Sequence, residues 1–322
     1  MKRREFLIGS LAGGGLLAIG AHAQSGPWPN RPVRIIVAVP PGTANDIAAR
    51  VLAQNFAPQL NQPVVVENRT GAGSTIGTTV AAQSKDAHTL LLASTTIIVA
   101  PHLGSVSYDV ARDFDTIGMI STFPGVLVVP ANSNYRSVDD ILADARARPG
   151  QVVCGNGGTG TGSHLAAELL MSLTGVSFLQ VPYRGEGPVV PDMISGRIAL
   201  AVLHLPSVLR HIRSGSLRAL AVAASQPHPD LPGISTFEAL GVARMEVLGW
   251  VALLAAKGIP EDRLAALERM LEKAQTTESV AKILLTAGLA PVVSGRIKTE
   301  EFIRAESLRL GQLIRARNIK VD

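Results

Sequence analysis

The residues most able to bind something without a charged side chain are Gly155-Asn156-Gly157-Gly158-Thr159-Gly160-Thr161-Gly162-Ser163-His164-Leu165. They follow a short apolar run at 152–154 and precede Ala166-Ala167-Glu168-Leu169-Leu170-Met171, which is the order of a strand, a glycine-rich turn and a helix start. Such a turn exposes backbone N–H groups at a helix N-terminus, where unpaired donors and the helix dipole favour an anion. It is therefore a candidate cradle for a carboxylate or a phosphate. A plain tight turn, with glycines supplying positive φ and Ser163 capping the helix, would read the same, so this stretch alone leaves both readings open.

A second stretch of the same kind lies near the start of the chain. Residues 33–39 form a β-branched run, followed by Pro40-Pro41-Gly42-Thr43-Ala44-Asn45-Asp46 and then Ile47, Val51, Leu52, Phe56 and Leu60 at helical spacing. Thr43 or Asn45 can cap that helix, and the loop leaves the carboxyl end of a strand, the edge where open α/β sheets bind ligands. Ser94 and Thr95, after the strand expected at 89–93, add hydroxyls to the same edge. Tyr183 and Arg184 follow a strand near 178–181, with Tyr183 placed either in a cleft or in packing and Arg184 able to steer anions inward. Gly71, Gly73 and Gly77 are spaced G-x-G-x-x-x-G after the second strand. This is not the dinucleotide fingerprint, and close helix–sheet packing is expected there instead.

Other chemistries find less support. Ser163 and His164 are adjacent, so at a helix start they point about 100° apart, and the chain has no G-x-S-x-G elbow. Ser163 is expected as helix cap and ligand donor, with His164 packing behind it. There is no H-E-x-x-H, no C-x-x-C and no G-x-x-x-x-G-K-[ST], so neither a metal, a nucleotide nor any other cofactor is expected. Cys154 is the single cysteine and sits in an apolar run, which suits a small buried hydrophobe.

The elements that must position these loops are those of an α/β protein. The chain has 322 residues, enough for two domains, and is 47% hydrophobic but only 4% aromatic. A core of Val, Leu, Ile and Ala of this kind suits helices laid on parallel strands. A second α/β series starts with a strand at 125–129 and a helix at 137–148, and strands near 198–202 and 217–223 follow the glycine-rich turn. A strand at 247–254 resumes the first series, with helices at 260–275, 278–287 and 299–317 and a strand at 290–293. The order suggests one domain (24–124 plus 245–322) interrupted by another (125–244). Short crossings near 122–126 and 242–246 would make a hinge with a closing cleft between the lobes.

Residues 1–23 read as a secretory leader. Lys2, Arg3 and Arg4 precede an apolar stretch rich in glycine, and Ala21-His22-Ala23 gives a cleavage site after Ala23. Arg3-Arg4-Glu5-Phe6-Leu7 resembles a twin-arginine core. Cleavage removes three basic residues and one acidic one from totals of 30 and 25, leaving a net charge of about +3. The Lys and Arg residues are dispersed, which fits a small anion and not nucleic acid.

Several motifs together resemble one family. They include Trp28-Pro29-Asn30-Arg31-Pro32-Val33, Asp46-Ile47-Ala48-Ala49-Arg50, Gln62-Pro63-Val64-Val65-Val66-Glu67-Asn68-Arg69, Gly162-Ser163-His164-Leu165-Ala166, Val181-Pro182-Tyr183-Arg184-Gly185 and Leu205-Pro206-Ser207. In this order they resemble the Bug or TctC receptors of tripartite tricarboxylate transporters. The resemblance implies a two-lobed Venus-flytrap periplasmic binding protein, type II-like, each lobe a sheet flanked by helices. It implies a monomer that binds a small carboxylate (a di- or tricarboxylate, an amino acid or an aromatic acid) and hands it to separate membrane permease subunits. It places the ligand at Pro41, Gly42, Thr43, Ala44, Asn45 and Asp46 and at Thr161, Gly162, Ser163 and His164. Two departures bear on ligand identity: the loop Gly42-Thr43-Ala44-Asn45-Asp46 replaces a glycine, and Leu203-His204 stands where the family often has Asp-Asn, making His204 a further candidate contact. Two rival readings are a sensor receptor for a signalling system and a secreted carboxylate-ester hydrolase with Ser163 as nucleophile.

Overall fold

A computed structural model describes residues 28–84 and 86–320. The leader and its cleavage point after Ala23 lie outside these residues. The first series is β1 (Val33–Val37), α1 (Ala44–Leu60), β2 (Val64–Asn68), α2 (Thr75–Ala82), β3 (Thr89–Ala93), α3 (Thr95–Leu103) and α4 (Val110–Asp113). A long strand, β4 (Phe114–Pro130), leads into α5 (Val138–Ala147), β5 (Val153–Asn156), α6 (Gly162–Thr174), β6 (Leu179–Pro182), α7 (Val189–Ile194), β7 (Leu200–His204), α8 (Leu205–Arg213) and β8 (Leu217–Ala223). The chain ends with β9 (Leu248–Ala256), α9 (Glu261–Thr276), α10 (Glu278–Thr286), β10 (Ala290–Ser294) and α11 (Arg296–Ala316).

β4 is the spine shared by the two lobes. From Phe114 to Pro124 it runs antiparallel to β9, and β10 pairs near Thr122; from Gly125 onward it pairs with β7 and β8. The expected start of a new strand at 125–129 is therefore corrected: one strand of 17 residues carries the chain across. A Cβ at Gly125 would lie 3.3 Å from Val202 Cγ1, so the strand packs closely there. The return is equally tight, since the Val247 N–H donates to the Ala223 carbonyl and its own carbonyl accepts from the Gly125 N–H. β1 is parallel to β2 and β3, and β5 is parallel to β6 and β7, so each lobe has a parallel unit beside the shared spine.

Strand residues alternate between two buried faces, as a sheet covered by helices on both sides requires. Ile35, Leu92 and Val251 face Phe56 of α1 and Leu267 of α9, whereas Ile36, Leu91 and Trp250 face Ile97 of α3 and Ile314 of α11. In the second lobe Leu127 and Val202 pack on α5 and α6, and Val128 and Leu203 on α7 and α8. The helix expected at 137–148 carries a capping box, with Ser137 Oγ accepting from the Asp140 N–H and the Asp140 carboxylate accepting from the Ser137 N–H. At Gly77 a Cβ would lie 2.9 Å from Ala38 Cβ, the close approach of α2 to the sheet that the glycine spacing suggested.

The important consequence is directional. α1, α3, α6 and α8 are the next helices after β1, β3, β5 and β7, so their N-termini lie toward the carboxyl edges of those strands.

Candidate functional site

These N-termini border a cavity of about 970 Å³. Thr43 and Ala44 of α1, Ser94 and Thr96 of α3, Thr161 and Gly162 of α6, and Pro206 and Ser207 of α8 all line it. A volume near the upper end of the range for small-molecule sites leaves room for an organic ligand.

At α1 neither Thr43 nor Asn45 caps the helix. The Thr43 hydroxyl donates to the Pro40 carbonyl at 2.9 Å, and the Asn45 amide reaches back to the Leu92 carbonyl. Asp46 points away from the cavity: its carboxylate accepts from the Gly42 N–H at 2.9 Å, from Arg50 Nε at 3.0 Å and from the Asn68 amide at 3.0 Å. Burial alone would raise the Asp46 carboxyl, but the Arg50, Gly42 and Asn68 hydrogen bonds and the Arg50 charge outweigh it and hold it below its ordinary value. Asp46 is thus the anchor of the loop, and the first-turn N–H groups of Ala44 and Asn45 are left without a partner among the described residues.

The glycine-rich loop before α6 spends most of its own donors internally. The Gly157 N–H donates to Ser163 Oγ at 3.0 Å, the Gly158 N–H to Asn156 Oδ1 at 2.8 Å, and the Gly160 N–H to His164 Nδ1 at 3.2 Å. Thr161, not Ser163, is the N-cap: its hydroxyl accepts from the His164 N–H and donates to the Gly158 carbonyl. The first-turn N–H groups of Gly162 and Ser163 have no partner among the described residues, and Gly162 is the one of the two that lines the cavity. The loop shapes the cradle; the helix start supplies it.

At α8 the equivalent position is already filled from within. The Glu186 carboxylate accepts from the His204 N–H at 3.2 Å, pairs with His204 Nδ1 at 2.8 Å and accepts from the Ser207 hydroxyl at 2.6 Å. Burial pushes the Glu186 carboxyl up, yet the His204 charge and these hydrogen bonds outweigh it and hold it below its ordinary value. The His204 ring then lies against Gly162, where a Cβ would be 2.5 Å from Cε1, and edge-on to Phe123 at 5.3 Å between centroids. His204 Nε2 has no hydrogen-bond partner among the described residues.

Of the expected site residues, the structure brings Pro41, Gly42, Thr43, Ala44 and Asn45 to one cavity with Ser94, Thr95, Thr161, Gly162 and His204. Four others lie outside its wall. Asp46 is turned toward Arg50. Ser163 is 1% exposed, its hydroxyl held by Gly157 and Thr161. His164 is buried behind it, and burial lowers its pKa against the opposing pull of Glu168. Tyr183 donates its hydroxyl to Asp192 at 2.7 Å. The sequence reading missed Glu186, Phe123, Arg210 and Arg213 as wall residues, and it treated Arg184 only as a steering charge. Glu186 follows the Val181-to-Gly185 motif at a strand end, and Arg210 and Arg213 follow Leu205-Pro206-Ser207 at helical spacing, which are the signals that point to them.

Among the described residues no cluster of His, Cys, Asp and Glu is arranged to hold a metal ion, and no helix is long and apolar enough to cross a membrane.

Comparison with known proteins gives a consistent result. A sequence profile described as the tripartite tricarboxylate transporter family receptor matches residues 48–319. Protein BugT of Bordetella pertussis (strain Tohama I) is 36% identical over 307 residues, 94% of either chain. A UPF0065 protein from the tcbD-tcbE intergenic region of Pseudomonas sp. (strain P51) is 36% identical over 289 residues, 87% of this chain and 86% of that one. Among solved structures, a periplasmic transporter superposes with a TM-score of 0.85 at 31% identity, covering 92% of this chain and 100% of that one. R. palustris Rpa4515, solved with adipate, also gives 0.85, at 27% identity over 91% of this chain and 99% of its own. With this sequence match along most of its length and this two-lobed α/β fold, the chain belongs to the Bug/TctC family of tripartite tricarboxylate transporter receptors.

Proposed function

We propose that the protein captures a small carboxylate in the cleft between its lobes, residues 24–124 with 245–322 on one side and 125–244 on the other, and presents it to membrane permease subunits in trans. The observation that carries this is that the open first turns of α1 and α6 border one cavity, offering peptide N–H groups where a carboxylate can be shared between the lobes. Three arginines and a single acidic residue, Glu186, also line the wall, and Glu186 already has its own donors, so the balance favours an anion. The adipate bound by Rpa4515 supports the same ligand chemistry. Export to the periplasm with cleavage after Ala23 accords with a family of periplasmic binding proteins.

The test is to incubate the mature protein with candidate acids and their esters and follow thermal stability and product together. Stabilisation by an acid at one-to-one stoichiometry, with no turnover of the ester, is expected. Ester hydrolysis that disappears in Ser163→Ala would overturn the receptor reading in favour of an enzyme. Mass spectrometry of small molecules released from freshly purified protein identifies the acid.

A further inference from the structure

We infer that His204 makes ligand capture proton-linked: an acid enters the cleft together with one proton, which settles on His204 Nε2 and lets that nitrogen donate to the ligand carboxylate; this rests on the carboxylate reading above. Glu186 and His204 are mostly buried, at 12% and 16% side-chain exposure, and Nδ1 lies 2.8 Å from Glu186 Oε1. The Glu186 carboxyl is held below its ordinary value despite burial, so it is ionised at neutral pH and can only accept. Nδ1 therefore carries a proton, and the charge of the ring is decided at Nε2 alone.

Nε2 is buried and has no partner among the described residues. A polar atom in that position is costly, so it calls for a group that the fold does not supply. Its surroundings say which. Nε2 lies 2.8 Å from the point where Gly162 would carry a Cβ, and Gly162 lines the cavity with its first-turn N–H unpartnered among the described residues. A carboxylate oxygen held by that N–H is thus brought beside Nε2. A neutral ring would turn a lone pair toward the oxygen and repel it. A protonated ring donates to it and stands between two carboxylates, Glu186 on one side and the ligand on the other.

The neighbouring charges explain why the proton arrives with the ligand. Arg210 and Arg213 of α8 and Arg184 from the loop before α7 line the same cavity, and the first turn of α6 adds its dipole. All of these oppose a positive ring until an anion offsets them, and Glu186 alone favours it. Phe123 of β4 and Gly249 of β9, which pack against the ring, bring no charge. His164, the other imidazole near this turn, does not line the cavity; its Nδ1 accepts from the Gly160 N–H and its Nε2 faces Glu168 at 3.9 Å. The step is a protonation only: solvent gives one proton to Nε2, no covalent bond of the ligand changes, and release of the acid returns the proton.

The test is calorimetry on the full mature protein with adipate, benzoate, malate and acetate. It is run in buffers of differing ionisation enthalpy between about pH 6 and pH 9, the range over which an imidazole changes charge, and counts the protons taken up per acid bound. Ionised adipate and benzoate have no hydroxyl, so Nε2 meets them only as a donor. Uptake is expected to exceed about half a proton at its maximum, because the ring holds its proton to higher pH with an anion beside it than without. Affinity is expected to fall several-fold as pH rises, by at most about tenfold per unit for one linked proton. In His204→Gln, uptake is expected to vanish and the remaining affinity to be independent of pH. Where that variant fails to fold or to bind, the imidazole nitrogen resonances of the unmodified protein decide, since adding an acid at about pH 8 is expected to move one Nε2 from the acceptor to the protonated position. Binding with no uptake across the range, uptake that persists in His204→Gln, or resonances unmoved by a bound acid would overturn the inference and leave the carboxylate reading standing. If none of the four acids binds, that reading falls and the inference falls with it.

Discussion

The imidazole of His204 lies directly over Gly162, close enough that an added Cβ would meet Cε1 at 2.5 Å and Nε2 at 2.8 Å. The same ring is held from behind by Glu186 and from the side by Phe123. Gly162→Ala therefore forces the ring off its seat and strains the Glu186 contact. We expect a loss of stability of about 1–3 kcal/mol from overpacking, with a larger proportional loss of ligand affinity because the displaced group borders the open turn of α6. Chemical denaturation and calorimetry on the same preparation check this. Unmodified behaviour in both would mean that the ring does not rest on Gly162.

Ser163→Ala separates a loop role from a ligand role. Its hydroxyl accepts from the Gly157 N–H, which would be left buried without a partner. The expected cost is about 1–3 kcal/mol of stability, seen as a lowered denaturation midpoint. Affinity, extrapolated to conditions where the variant is fully folded, should change less than it does for Gly162→Ala. A variant that is as stable as the parent but binds poorly would return Ser163 to the ligand.

Much of this arrangement could be read from the chain, and the parts that could not share a cause. β3 and β8 fall where the apolar runs at 89–93 and 217–223 place them, because each run is long, β-branched or leucine-rich and bounded by polar residues. The two helix-start loops were legible because strand, glycine or proline, and helix follow one another within a few residues. β4 was not legible as one strand: Pro124 and Gly125 read as a break, and only pairing with Leu248 on one side and His204 on the other keeps the chain extended there. Likewise, no local pattern tells whether Ser163 faces a ligand or its own loop, since the deciding donor, Gly157, is supplied by the folded turn. Glu186 needed the three-dimensional neighbourhood most of all, because His204 and Ser207 are 18 and 21 residues away from it.

Acid should weaken the fold in two stages. Burial lowers the pKa of His164 from its ordinary 6.5, so the folded protein resists a proton that the unfolded chain accepts. Stability is then full above about pH 6.5 and declines as pH falls below it. Glu186 and Asp46 are held below their ordinary values of 4.5 and 3.8, so their contributions are present above those values and are lost as pH drops through the folded values. Melting temperature followed from neutral to strongly acidic pH is expected to show a shallow decline and then a steep one. Glu186→Gln should flatten the second stage. A melting temperature that rises on acidification to pH 5 would contradict the sign for His164.

The helix that offers its first turn to the cavity is also tied to the opposite lobe. Glu168 of α6 accepts from Arg317 Nε, just beyond α11, at 2.8 Å, and its other oxygen accepts from Gln180 at 2.7 Å. One turn earlier, Leu165 is buried in the core face built by α3 and α11, and Gly160 is seated against Leu103 of α3. α6 therefore cannot follow its own lobe outward without breaking the Glu168–Arg317 pair and uncovering Leu165. The pair itself is partly exposed, with Arg317 at 33%, so its share is at most about 1 kcal/mol. Leu165 carries more, since truncating a buried leucine costs about 2–5 kcal/mol. Glu168→Gln is thus expected to enlarge the radius of gyration in solution scattering slightly, and to weaken binding several-fold at most, with ligand restoring the compact form. Leu165→Ala should do the same more strongly while also lowering the melting temperature. If neither variant changes the scattering of the ligand-free protein, α6 does not hold the lobes together.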